Sequence, residues 1–149
     1  MNEDIKKYVN QSVLCWLATV SKDNTPNVSP KEVFTYYEDY IIIANIASPQ
    51  TAKNIEANSN VCVGFIDVLV QKGYQIKGKA VIVLNGSVDF EILKQPLLKI
   101  TEGKFPFSSI FKVIIESAKP IIAPKYMLYP ETTEEEQIAS ARMVYGFKK

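Results

Sequence analysis

The residues most able to do chemistry in this sequence form two short polar groups. In the segment from 26 to about 36, read as a strand, side-chain alternation places Asn27, Ser29 and Lys31 on one face, followed there by Val33. The second group lies in Asn-Ile-Ala-Ser-Pro-Gln-Thr-Ala-Lys-Asn-Ile-Glu-Ala-Asn at 45–58, a short helix entered from an apolar strand. Ser48 and Pro49 read as its N-cap and first helical residue, because proline lacks the N–H that would have no partner there. The N–H groups of Gln50, Thr51 and Ala52 then point outward. With the Thr51 hydroxyl, the Lys53 ammonium and the positive end of the helix, they suit a phosphate. Two plainer readings fit equally well at this level: an ordinary Ser-Pro cap that binds nothing, and a solvated sheet face.

Composition narrows the chemistry. No histidine occurs among the 149 residues, which removes imidazole acid–base catalysis, the usual zinc sites and the commonest haem ligand. No residue is assigned a catalytic role, and no metal site is expected. Seventeen basic and 16 acidic side chains give a net charge of +1, too balanced for a strong nucleic-acid footprint. Cys15 and Cys62 lie in apolar runs without metal-ligand spacing and read as buried free thiols, although spacing alone leaves a disulfide open. The polar start and the lack of a bilayer-length apolar run lead us to expect a soluble, cytoplasmic protein.

These groups need elements to hold them. Asn2 can cap a first helix with Ile5, Tyr8 and Val9 on its apolar side. Residues 13–20 read as a strand, 21–24 as a turn, and 26 to about 36 as the second strand, with Pro30 marking an edge, a bulge or backbone open to a ligand. The Ile-Ile-Ile run within 40–46 indicates a third strand buried on both faces, which delivers the short helix. Strands follow at 61–68 and 73–84, where Gly78 and Ala80 permit the bending a small barrel needs. Ser87 can cap a helix with a Phe90, Leu93, Leu97 and Ile100 stripe, kinked or divided by Pro96. Residues 111–123 read as one more strand or a bent pair. Thr133-x-x-Glu136 is a capping box for a last helix with Ile138, Ala141 and Tyr145 on one side and Gly146 as its stop. The order is not a βαβ repeat, and it predicts one domain over 1–149: an antiparallel barrel with peripheral helices.

Three motifs, Leu-Ala-Thr-Val-Ser-Lys-Asp-Asn-Thr-Pro-Asn-Val-Ser-Pro-Lys at 17–31, Ala-Ser-Pro-Gln-Thr-Ala-Lys-Asn-Ile-Glu-Ala-Asn at 47–58 and Gly-Tyr-Gln-Ile-Lys-Gly at 73–78, occur in an order and spacing that resemble the FMN-binding split-barrel family related to pyridoxamine 5'-phosphate oxidase. Within it the nearest likeness is to short flavin-nucleotide-binding proteins, and it covers roughly residues 10–85. The resemblance implies a mainly β fold, a six-stranded antiparallel split β-barrel, and a homodimer with two FMN molecules in clefts between subunits. It implies that Asn27, Ser29 and Lys31 meet the cofactor from the second strand. Ser48, Thr51, Lys53 and Asn54 would meet its phosphate and ribityl chain, and Asn45 would contact the flavin. Tyr126, Arg142 and Tyr145 of the partner subunit would close the cleft.

The departures from that family are informative. The oxidases proper carry an arginine on the second strand, an Arg-Lys pair at the helix start and an Arg-x-His element near the end. Here Ser29 stands at the strand position, the helix starts Pro-Gln-Thr, and histidine is absent. Hydroxyls do not replace a fixed bidentate charge, so oxidation of vitamin B6 is not expected. The resemblance leaves three functions open: an FMN-dependent oxidoreductase acting through flavin N5 on a small unidentified substrate, a flavin or deazaflavin binding and storage module without turnover, and a barrel that retains only dimerisation.

Overall fold

The computed structural model describes residues 1–147. Its elements are α1 (Glu3–Gln11), β1 (Cys15–Val20), β2 (Pro26–Lys31), β3 (Phe34–Tyr37), β4 (Tyr40–Ala44), α2 (Pro49–Ala57), β5 (Asn60–Asp67), β6 (Lys72–Leu84), α3 (Val88–Thr101), β7 (Ser109–Ile122), α4 (Pro124–Leu128) and α5 (Glu134–Val144). All strand pairs are antiparallel, in the spatial order β2-β1-β5-β6-β7-β4-β3.

Seven strands stand where six were expected, because the segment from 26 to 36 is not one strand. It breaks at Glu32 and Val33, just after Pro30, and its two halves lie at opposite margins of the sheet. Those margins are therefore joined by the chain itself and not by a ladder of hydrogen bonds. The Val33 carbonyl accepts from the Ala44 N–H at 3.0 Å and fixes the corner to β4. The result is a curled, split barrel, with β2 the edge strand that Pro30 suggested.

The isoleucine triplet of β4 is buried on both faces, as its sequence required. Ile41 and Ile43 join Leu17, Val63, Phe65, Ile76, Phe111 and Val113 in the barrel interior, closed on one side by Ile5, Tyr8 and Val9 of α1. Ile42 and Ala44 face outward into a second core with Val83, Phe90, Leu93, Leu97 and Ile110, roofed by α3. Pro96 neither divides nor ends α3, and Ile100 of the expected stripe is 45% exposed. The carbonyl that Pro96 leaves without a helical partner is that of Ile92, a residue at the exposed surface.

The long strands β6 and β7 bend at one place. Lys77 pairs with Ser117 and Gly78 with Ile115, so Glu116 is the extra residue of a bulge. A Cβ on Gly78 would lie 2.0 Å from the Ile114 carbonyl oxygen, which explains the glycine by close backbone approach. Residues 111–123 thus contribute one bulged strand. α4 was not expected, although Pro124 occupies the position that proline favours at a helix start. α5 carries the full capping box and ends at Gly146 with φ +71°, but it buries Gln137 and Ala141 and leaves Tyr145 exposed, a rotation from the anticipated face. Both cysteines are free.

Candidate functional site

Lys31 ends β2 directly opposite Cys15 of β1. The alternation that turns Cys15 and Leu17 into the barrel therefore turns Lys31 inward, and it is only 7% exposed. Its ammonium donates to Ser29 Oγ and Ser48 Oγ, each at 2.7 Å. Ser29 Oγ lies 3.3 Å from Thr51 Oγ1, and Ser48 Oγ donates to the Ile46 carbonyl at 3.1 Å. A chain of hydroxyls thus joins the edge strand to the start of α2. Ser48 occupies the N-cap position but makes no capping bond with its side chain, contrary to expectation. A charge-assisted bond from a buried ammonium is stronger than the neutral cap it displaces.

Among the described residues no carboxylate lies within ion-pair distance of Lys31. Burial pushes its ammonium below the usual lysine value. A cation withdrawn from water and bonded only to neutral oxygens is stabilised strongly by an anion that reaches it. Burial also raises the neighbouring Cys15 thiol to about 12, with Lys31 acting weakly in the opposite direction. That thiol stays protonated and unreactive at neutral pH.

A second polar group lies further along the same strands. Thr19 Oγ1 accepts from Asn54 Nδ2 at 3.0 Å and from Asn27 Nδ2 at 3.4 Å, while Asn54 Oδ1 accepts from Gln50 Nε2 at 2.7 Å. Asn27, Gln50 and Asn54 line an open concavity of about 620 Å³ whose charged groups are Lys22, Asp23 and Lys53. Lys31 instead faces a smaller cavity of about 220 Å³. The structure therefore brings Ser29, Lys31, Ser48 and Thr51 into one bonded set, and Asn27 and Asn54 into another with exposed Lys53 on its rim. Asn45 joins neither: Nδ2 donates to Ser109 Oγ at 2.9 Å, and its buried Oδ1 has no partner among the described residues. Neither Thr19 nor the side chain of Gln50 is anticipated from the sequence, where only the Gln50 N–H is singled out. Thr19 shares the inward alternation of Cys15 and Leu17, and Gln50 stands one helical turn before Asn54, so both signals were present.

The C-terminal candidates lie elsewhere. Tyr126 donates its hydroxyl to the Val70 carbonyl at 2.9 Å, and the Lys72 ammonium sits 4.4 Å from its ring centroid. Lys72 also pairs with Glu134 at 2.7 Å. Beside this corner Tyr74 donates to Asp4 at 2.5 Å. Arg142 on α5 and Tyr145 just after it are exposed. Among the described residues there is no cluster of three or more metal-ligating side chains, and no helix is long and apolar enough to cross a membrane.

The sequence matches the family described as pyridoxamine 5'-phosphate oxidase over residues 1–126. No curated protein matches the chain. Among solved structures, group A Streptococcus HupZ is 25% identical with a TM-score of 0.70, over 83% of this chain and 95% of that one. An FMN-binding protein from Syntrophomonas wolfei is 18% identical with a TM-score of 0.64, over 79% of this chain and 84% of that one. An F420 reductase is 19% identical with a TM-score of 0.61, over 80% of this chain and 98% of that one. These likenesses agree with the split-barrel fold.

Proposed function

The chain belongs to the pyridoxamine 5'-phosphate oxidase family, and from that premise we propose that it binds FMN between β2 and α2 and acts as a flavin-dependent oxidoreductase on a small molecule. The observation that carries the reading is Lys31, a buried ammonium held by the Ser29 and Ser48 hydroxyls with no carboxylate within ion-pair distance among the described residues. A donor set of hydroxyls, amides and lysines, which outnumbers Asp23 and Glu32 at its margins, fits a phosphorylated cofactor with a carbonyl-rich ring. Bound FMN supplies hydride or electron transfer at N5.

The protein's part is binding and positioning. Asn27, Ser29 and Lys31 span roughly 13 Å along the edge strand, at about 3.3 Å per residue. Such a row presents donors at two well-separated points to one elongated ligand. Thr51, on the first turn of α2, adds a hydroxyl at the positive end of a helix, and Lys53 adds a charge in the next turn. Lys31 stabilises negative charge that develops near it, in a setting where burial magnifies the interaction. The cleft is completed by a second copy of the chain, which would cover the exposed apolar side chains Trp16 and Val28 on the outward face of the sheet.

The test is the visible spectrum of purified protein before and after adding FMN and removing the excess. A retained flavin band is expected, followed by bleaching when a nicotinamide donor is supplied. A colourless protein overturns the cofactor assignment, and a flavin band that no donor bleaches favours a binding module without turnover. FMN should also promote dimerisation by linkage, seen as an affinity that rises with protein concentration.

A further inference from the structure

The cavity beside Lys31 also carries Glu32, and its apolar walls come from Pro30, Val33, Ala44, Ile46 and Phe105. Four of these belong to the β2–β3 corner or to the end of β4 and the residues just after it. Phe105 comes from the loop between α3 and β7, and its side chain remains 53% exposed. Phe107, two residues later, packs its ring 6.0 Å from that of Phe90 and joins the second core. One phenylalanine of this loop thus completes the core, and the other is held out over the cavity.

The loop is fixed at both ends. Glu102 and Gly103 take left-handed conformations with φ of 49° and 73°. The N–H of Gly103 donates to Thr101 Oγ1 at 3.2 Å and that of Lys104 to the Thr101 carbonyl at 2.9 Å. On the far side the carbonyls of Ser108 and Ser109 accept from Asn85 and Asn45, each at 3.0 Å. Phe105 is consequently a large apolar ring presented by anchored backbone, without the burial that normally stabilises such a side chain.

We propose that Phe105 is a specificity-determining wall of the ligand site, packing against a flat heteroaromatic ring whose oxygen-bearing edge is held by Lys31. The cavity is smaller than the 300–1,000 Å³ typical of sites that enclose a whole drug-sized ligand, so it takes one end of such a ring system. The inference rests on the flavin reading above and adds which part of the ligand enters: the ring here, with the phosphate toward α2. Phe105 therefore reads ring shape, and the hydroxyl and lysine groups read charge.

Titration of the full chain with FMN and with inorganic phosphate separates these roles. Phe105→Ala should weaken FMN roughly three- to ten-fold, the size of one aromatic contact, and leave protection by phosphate against thermal unfolding unchanged. Phe105→Trp should retain most of the FMN affinity. Relative to the parent, whose single tryptophan is Trp16, its added emission should be quenched on binding, a signal that a merely structural role would not give. Unchanged FMN affinity in Phe105→Ala, or unquenched emission from the tryptophan variant, would overturn the proposal while leaving the flavin site standing. Absence of FMN binding by the unmodified protein would overturn both. Because Phe107 carries the core contact, the alanine variant should melt close to the parent, and a collapse of the fold would itself contradict the assignment.

Discussion

Lys31 and Lys72 are both drawn in from solvent, and their surroundings differ in every respect that matters to a cation. Lys72, at the start of β6, is paired with the Glu134 carboxylate and lies over the Tyr126 ring. Its hydrogen bond to Glu134 raises its ammonium above the ordinary value. Lys31 has two hydroxyls and more complete burial, and its ammonium is lowered. The Lys72 corner is electrostatically complete within the chain and ties α4 and α5 to the barrel. The Lys31 seam keeps a cation whose best partner is an external anion, and this contrast distinguishes a structural lysine from a binding one.

The contrast is broken most directly by exchanging which lysine is removed. Lys31→Ala should weaken FMN by about 1–3 kcal/mol, measured by titration of the flavin spectrum, while Lys72→Ala leaves the affinity unchanged. Equal losses in both variants would erase the distinction. The pH dependence has a definite sign. Affinity should fall as alkaline pH removes the Lys31 proton, and because its folded value lies below 10.5 the fall begins below that pH. Over the same window the unliganded protein gains stability as pH rises, since the unfolded chain then binds more protons. Lys31→Ala should flatten both trends.

The complete corner makes the next largest prediction. Tyr74→Phe removes the hydrogen bond to Asp4 and should cost about 1–2 kcal/mol in denaturant unfolding. That bond, with burial, raises the phenol to about 12. Its contribution is full below the unfolded value near 10 and is lost as pH rises toward 12, so the variant should lack both the latest-titrating part of the phenolate absorbance and the matching loss of stability.

A subtler result sharpens the comparison. Lys31→Met retains the aliphatic stem and deletes the desolvated charge, so it should stabilise the unliganded protein by about 1 kcal/mol while still weakening FMN. A loss of stability instead would mean that the two hydroxyl bonds compensate the ammonium fully. The smallest effect is expected from Glu134→Gln, about 0.2–1 kcal/mol and reduced by salt, because the pair is partly solvated.

Much of this arrangement was legible in local patterns. The buried isoleucine triplet, the shared face of Asn27, Ser29 and Lys31, the Thr133 capping box and the Gly146 stop all follow from spacing over a few residues, whereas the inward direction of that face does not. The break at Glu32 and Val33 was not legible, because a run that looks like one strand can be two halves on opposite margins when tertiary pairing decides. Ser48 shows the same limit at the site. Its neighbours in sequence indicate a cap, but Lys31, seventeen residues earlier, takes its hydroxyl. Phe105 carries no local signal of its place, since its role depends on which distant strand end it faces.

The corner at Glu32 and Val33 also bears on how the chain reaches this form. Hairpins β1–β2 and β3–β4 each close through a short turn, and two residues connect them, so both rims of the future barrel are made within residues 15–44. Bringing the rims together costs almost no loop-closure entropy, because they are never apart in the chain. The slower, long-range step is left to β5, β6 and β7, which must be threaded into the order between rims already tethered to one another. Most of the proposed ligand row lies in the early-forming part. Preorganisation of Ser29 and Lys31 can therefore precede completion of the barrel, an ordering that hydrogen-exchange labelling during refolding would register as early protection at residues 15–44.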